Sequence, residues 1–157
     1  RRDPSHVPAS ASLFVLLAVL YWVSSLAQAW VAYGAGHLVL QASLDLALTL
    51  GFFWLVLAVA RRAHRYRQTG AALMGTSVLV TPLMMALLSL RETVRNPYPL
   101  AVLVWAAMVF AIVWYLFVVG HILRAALDTG LPTAMGVSIA YFLAGAAVAG
   151  VLFPPAT

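Results

Sequence analysis

Charged residues punctuate this chain so sparsely that the intervals between them define its organisation. No Asp, Glu, Lys or Arg occurs over positions 4–44, and further uncharged runs cover 46–60, 68–90, 96–123 and 129–157. A helix that crosses a bilayer needs about 20 consecutive apolar residues, and the first run exceeds that requirement. Its tail merges with the second run across Asp45. The pattern predicts helices near 13–33, 38–60, 71–90, 100–124 and 132–153. They form one transmembrane domain over 13–153, flanked by an N-terminal segment 1–12 and a short tail 154–157. The breaks contain turn chemistry in Gly34-Ala35-Gly36, Gln68-Thr69-Gly70, Asn96-Pro97-Tyr98-Pro99 and Asp128-Thr129-Gly130. The expected fold class is an all-α integral membrane protein, a bundle of five transmembrane helices. Four helices are the alternative, if the first two form one broken element.

Composition points the same way. The chain is 157 residues long, 64% hydrophobic and 8% charged, with a mean hydropathy of +1.00. A soluble domain has roughly a quarter of its residues charged, so this chain cannot clothe a water-facing surface. All nine basic residues are Arg. With five spans and a cytoplasmic N-terminus, Arg1, Arg2, Arg61, Arg62, Arg65, Arg67 and Arg124 collect inside and Arg91 and Arg95 remain outside. That bias is the one expected of short cytoplasmic loops, and it places the C-terminus in the periplasm. The sequence pI of about 10.3 then reads as a topology signal with attraction for anionic phospholipids; nucleic-acid binding has no support. Ala27-Gln28-Ala29 resembles a signal-peptidase site, but the apolar run continues to Tyr33 and is expected to stay as a helix. The chain opens on Arg1 rather than Met, which leaves room for residues upstream.

The absence of cysteine removes disulfides, thiolate metal sites and covalent c-type haem. Haem b is not expected either, because His37 and His121 fall at opposite membrane boundaries and His6 and His64 outside it. Met74, Met84, Met85, Met108 and Met135 show no repeated metal-binding spacing and read as lipid-facing or packing residues. No cofactor is expected.

Asp45 is the most informative residue. It lies about 10 Å inside the second helix at 1.5 Å per residue, a depth at which an ionisable group is costly and faces protein or water. His37, Gln41, Asp45 and Thr49 follow at i+4 spacing and share one ridge. The ridge could line a polar path, or Gln41 and Asp45 could bond neighbouring helices. The second reading is favoured because the ridge stops at Thr49. Arg91 is the expected partner of Asp45, reaching inward from the outer interface, with Arg95 as second choice.

A second candidate site lies at the inner end of the fourth helix, where His121, Arg124 and Asp128 share a face. With Arg61, Arg62, Arg65 and Arg67 they form a candidate cytoplasmic docking or head-group site; the plain alternative is a helix end with its dipole balanced by charge. Gly136, Ala140, Ala144, Gly145 and Ala149 supply small-residue spacing for close helix packing, within the bundle or against another protein. Thr81-Pro82 is expected to kink the third helix. Trp30, Tyr33 and Tyr98 fit an aromatic belt, whereas Trp22 and Trp114 are expected to pack or face lipid.

Gly120-His121-Ile122-Leu123-Arg124-Ala125-Ala126-Leu127, with Leu131-Pro132 and Tyr141-Phe142-Leu143, resembles the last two helices of bacterial Yip1-like membrane proteins. That resemblance implies a five-helix bundle and, from the eukaryotic members, action through partner binding rather than catalysis. It brings no catalytic residues. The Arg-only basicity and the Ala, Gly, Leu and Val bias suggest a GC-rich bacterium, and hence its inner membrane. The first expectation for function is a non-enzymatic accessory, assembly or scaffold subunit that packs against other integral membrane proteins. The second is a small transporter or channel built on the His37–Gln41–Asp45–Thr49 ridge. A membrane enzyme is the weakest reading, because no HExxH, GxSxG or paired intramembrane Asp is present.

Overall fold

A computed structural model describes residues 10–33, 37–94 and 98–152. Five helices follow one another: α1 (Ala11–Tyr33), α2 (Leu38–Val59), α3 (Tyr66–Thr93), α4 (Tyr98–Leu127) and α5 (Leu131–Leu152), with one 3₁₀ turn, Ala63–Arg65, before α3. Each is long and apolar enough to cross a membrane, the arrangement of a multi-pass membrane protein, and no strand occurs among the described residues. α1 packs along α2 and α3, α4 packs against α3 and α5, and α2 meets α5 and α3 more thinly.

Tertiary contacts set the direction of each helix. Phe14, near the start of α1, lies 5.6 Å from the Tyr66 ring at the start of α3. Arg65, just before α3, donates to the carbonyls of Ala125 and Ala126 at the end of α4, at 3.0 and 3.3 Å. The helices therefore alternate up and down, and the Arg-rich ends of α2, α3 and α4 meet at one end of the bundle.

Two helix ends are built alike. α2 stops when Arg61 turns left-handed at φ 57, so that the Arg62 amide reaches the Leu57 carbonyl at 2.7 Å and the Arg61 amide that of Ala58 at 3.0 Å. α4 stops at Asp128, φ 58, with the Thr129 amide 3.4 Å from the Arg124 carbonyl. Both are Schellman-type closures, a position where glycine is usual; here charged residues occupy it and their side chains remain at the surface.

The third helix differs most from expectation. Gln68-Thr69-Gly70 is not a turn: α3 starts at Tyr66 rather than near 71, and runs to Thr93. Gly70 serves close packing instead, since a Cβ there would lie 2.8 Å from the Phe14 ring. The Thr69 hydroxyl bonds the Arg65 carbonyl at 2.9 Å, which satisfies it within the helix. Pro82 lies inside α3 without ending it. Around it Thr76, Ser77 and Thr81 return hydroxyl bonds of 2.8–3.0 Å to carbonyls four residues earlier, which is how polar side chains are tolerated in lipid. α4 also exceeds its expected 100–124 span, because the left-handed closure comes only at Asp128. The expected turn Gly34-Ala35-Gly36 and the Asn96-Pro97 half of the turn expected at 96–99 lie outside the described residues, whereas Tyr98 and Pro99 already belong to the first turn of α4.

The bundle is packed unevenly along its length. At the Arg-rich end Phe53, Leu57, Leu73, Val119, Leu123 and Ala134 form a closed core. Gly120 fits there directly against Met135, whose side chain would collide with any Cβ. At the opposite end the helices part around polar side chains.

Candidate functional site

The opposite end holds the only intramembrane carboxylate among the described residues. α2 presents Asp45 towards α1, where the Tyr21 hydroxyl donates to its Oδ2 at 2.7 Å and the Ser25 hydroxyl to the same oxygen at 2.9 Å. One turn deeper, Thr49 is buried and its Oγ1 stands 3.0 Å from the Tyr21 hydroxyl, 2.8 Å from the Tyr141 hydroxyl and 2.8 Å from the Asp45 carbonyl. Each hydroxyl owns a single proton. With the Tyr21 proton on Asp45, the single Thr49 proton is shared between the Asp45 carbonyl and the Tyr21 oxygen, and Tyr141 must donate to Thr49. Such chains of hydrogen bonds polarise one another in a low dielectric.

Asp45 also borders open space. Two adjoining crevices, of about 320 and 460 Å³, share Ser25, Gln28, Asp45, Leu88, Gly145 and Ala149 in their walls. The smaller reaches Gln41, whose Oε1 is buried with no hydrogen-bond partner. The larger is lined also by Tyr115, itself 2.9 Å from the Ser77 hydroxyl, and by Met84, Met108, Ile112 and Phe142. No donor among the described residues reaches Asp45 Oδ1. No described Arg or His borders either crevice.

The expected ridge is thus brought together in part. Gln41 and Asp45 line one crevice and Thr49 lies beneath them, while His37 stands at the α2 N-cap, exposed and left-handed at φ 61. The expected Asp45–Arg91 pair does not form. Arg91 lies over the Trp105 ring, 4.8 Å from its centroid, an attraction that keeps the guanidinium at the interface without burying it. Arg95 lies outside the described residues.

The Arg-rich end resolves mostly into helix termination. Arg62 and Asp128 form an ion pair at 3.3 Å, and Arg65 covers the last α4 carbonyls. The His121 Nδ1–H donates to the Phe117 carbonyl of its own helix at 2.9 Å. Arg61, Arg67 and Arg124 remain exposed around them. Of the small residues in α5, Gly145 and Ala149 line the crevices and Ala144 is half-buried. Gly136 and Ala140 are exposed, and a Cβ at Gly136 would meet nothing within 4 Å. Trp30 is exposed as a belt residue would be, and Trp114 also faces outward. Trp22 donates to Ser43 at 3.2 Å. The side chains of Tyr33 and Tyr98 lie outside the described set.

Tyr21, Ser25, Gln28, Tyr115 and Tyr141 were not anticipated as site residues. Tyr21, Ser25 and Gln28 stand at i, i+4 and i+7 of α1, a ridge complementary to that of α2 and readable from the same spacing. Tyr115 and Tyr141 stand alone in apolar helices, and only the fold shows their direction. No family model, curated protein or solved structure matches the chain.

Proposed function

We propose that this is a non-enzymatic inner-membrane protein that binds a small solute in the polar crevice around Asp45, as a carrier or solute-binding component. The observation that carries the reading is Asp45 itself. A carboxylate within the bilayer is expensive, and here it is only half satisfied by protein while its other oxygen borders space. A residue serving only to bond helices would be expected to use both oxygens on protein donors. The Arg bias favours an orientation with Arg61, Arg62, Arg65, Arg67 and Arg124 on the cytoplasmic side. The crevice then belongs to the outer half of the bundle. The Yip1-like resemblance enters only through its five-helix arrangement; no residue role comes from it.

The accessory-subunit reading retains one specific support. Gly136 and Gly150 of α5 have nothing within 4 Å of an added Cβ, so a partner helix could approach there closely.

The cysteine-free sequence makes a direct test available. Gly145→Cys in the crevice wall, Phe110→Cys on the outer face of α4 (Phe110 is 73% exposed) and Thr129→Cys at the Arg-rich end would be treated in spheroplasts with a membrane-impermeant methanethiosulfonate. Gly145→Cys should react from outside, Phe110→Cys should not react, and Thr129→Cys should react only after permeabilisation. An inert Gly145→Cys on both sides would remove the water-accessible crevice on which the function rests. Reaction of Thr129→Cys from outside would reverse the orientation.

A further inference from the structure

Resting on that crevice reading, we infer that its ligand is a monovalent ammonium ion bearing an apolar substituent. The walls select for charge. Asp45 contributes the one formal charge, and its Oδ1 takes no protein hydrogen bond. One turn away on the same ridge, Gln41 Oε1 is buried without a partner. Both are acceptors, and an ammonium group supplies the several N–H donors that would answer them together. No basic side chain borders the space to compete for the carboxylate, because Arg91 is held over Trp105. An anion would meet Asp45 with no countercharge, and a neutral solute would leave the carboxylate uncompensated.

The walls also select for shape. From Asp45 the larger crevice, about 460 Å³, continues between Met84, Leu88, Met108, Ile112 and Phe142. Flexible thioethers and an aromatic ring adapt to apolar groups of varied outline. Tyr115 and Tyr141 also line this crevice, and aromatic rings attract cations. A charged head at Asp45 and Gln41 with an apolar group among the methionines occupies both chemistries at once. A bare metal ion would leave the apolar end empty.

Three probes with one carbon skeleton test this: 2-phenylethylammonium, 2-phenylethanol and phenylacetate. Each would be measured by equilibrium dialysis against the protein in lipid nanodiscs, with empty nanodiscs as blank. The ammonium ion should bind saturably and at least about tenfold more tightly than the alcohol, as one partly desolvated charge contact allows, and phenylacetate should not bind. Asp45→Asn should abolish that preference while leaving the alcohol unchanged, and Ala149→Phe, which puts a ring into the wall shared by both crevices, should weaken both ligands. If the alcohol binds as tightly as the ammonium ion but Ala149→Phe blocks it, the ammonium assignment is wrong and the crevice reading stands. If none of the three binds above the blank, both fall. Should Asp45→Asn not assemble, the preference of the unaltered protein alone decides.

Discussion

The two ends of this bundle solve the same problem differently. At the Arg-rich end, large side chains interlock where small ones make room: Leu57 and Leu123 are fully buried beside Ala126 and Ala134, and Gly120 lies against Met135. At the other end crevices open around Asp45, hydroxyls of Tyr21, Ser25, Thr49 and Tyr141 join α1, α2 and α5, and Ser77 meets Tyr115 between α3 and α4. Lipid is as apolar as leucine, so burying a hydrophobic side chain between membrane helices gains little transfer energy. What holds the first end is packing density, and what holds the second is hydrogen bonding. A membrane protein can therefore keep a hollow at one end without losing its fold, provided the other end is closed.

The largest expected effect tests that division directly. Leu123 is 0% exposed within the closed core, and Leu88 lines both crevices. Leu123→Ala should cost about 2 kcal/mol, the cavity part of a core truncation without much of the transfer part. Leu88→Ala merely enlarges an existing space and should cost well under half of that. Reversible unfolding in mixed micelles with increasing dodecyl sulfate gives both numbers. Equal losses would mean that the two ends are not energetically distinct.

How much of this could be read from the sequence follows the same split. The five spans were legible because charge is confined to their ends, and Asp45 because it breaks that rule. The start of α3 was not, since Gly70 looks like punctuation until the Phe14 ring is seen against it. Opposite charge points to Arg91 as the partner of Asp45, yet two hydroxyls on α1 take one of its oxygens; spacing puts Tyr21 and Ser25 on one ridge, but nothing in it names the carboxylate they meet. The small residues of α5 illustrate the remaining difficulty. Gly136 and Gly145 look equivalent in a spacing pattern, but one faces outward and the other lines the crevice; helical rotation decides this, and an apolar helix of nearly uniform composition encodes it weakly.

The middle prediction concerns the hydroxyl end. Thr49 is a junction, and Thr49→Val preserves its shape while removing the oxygen that meets Tyr21 and Tyr141. Intramembrane hydrogen bonds contribute about 0.6 kcal/mol on average and up to about 1.7. A loss of about 1 kcal/mol in the same micellar unfolding measurement is therefore expected, between the two leucine variants. A loss near zero would mean that the helices at this end are positioned by packing after all, and that the polar cluster is a passenger.

The smallest effect belongs to the most conspicuous pair. Arg62 and Asp128 tie the closing turns of α2 and α4 at 3.3 Å, but their side chains are 35% and 69% exposed. A water-facing ion pair gains little Coulomb energy and orders two side chains to do so, leaving about 0–1 kcal/mol. Arg62→Ala should therefore lower stability by no more than about 0.5 kcal/mol, and most of that difference should vanish in about 0.5 M salt, where charges at the surface are screened within a few ångströms. The backbone closures at Arg61 and Asp128 do not depend on the pair, since the amides of Arg62 and Thr129 complete them. A loss as large as that of Leu123→Ala would shift the stability of the closed end from its packed core to its charged rim. The closed end would then owe its order to the same kind of polar contact as the hollow one.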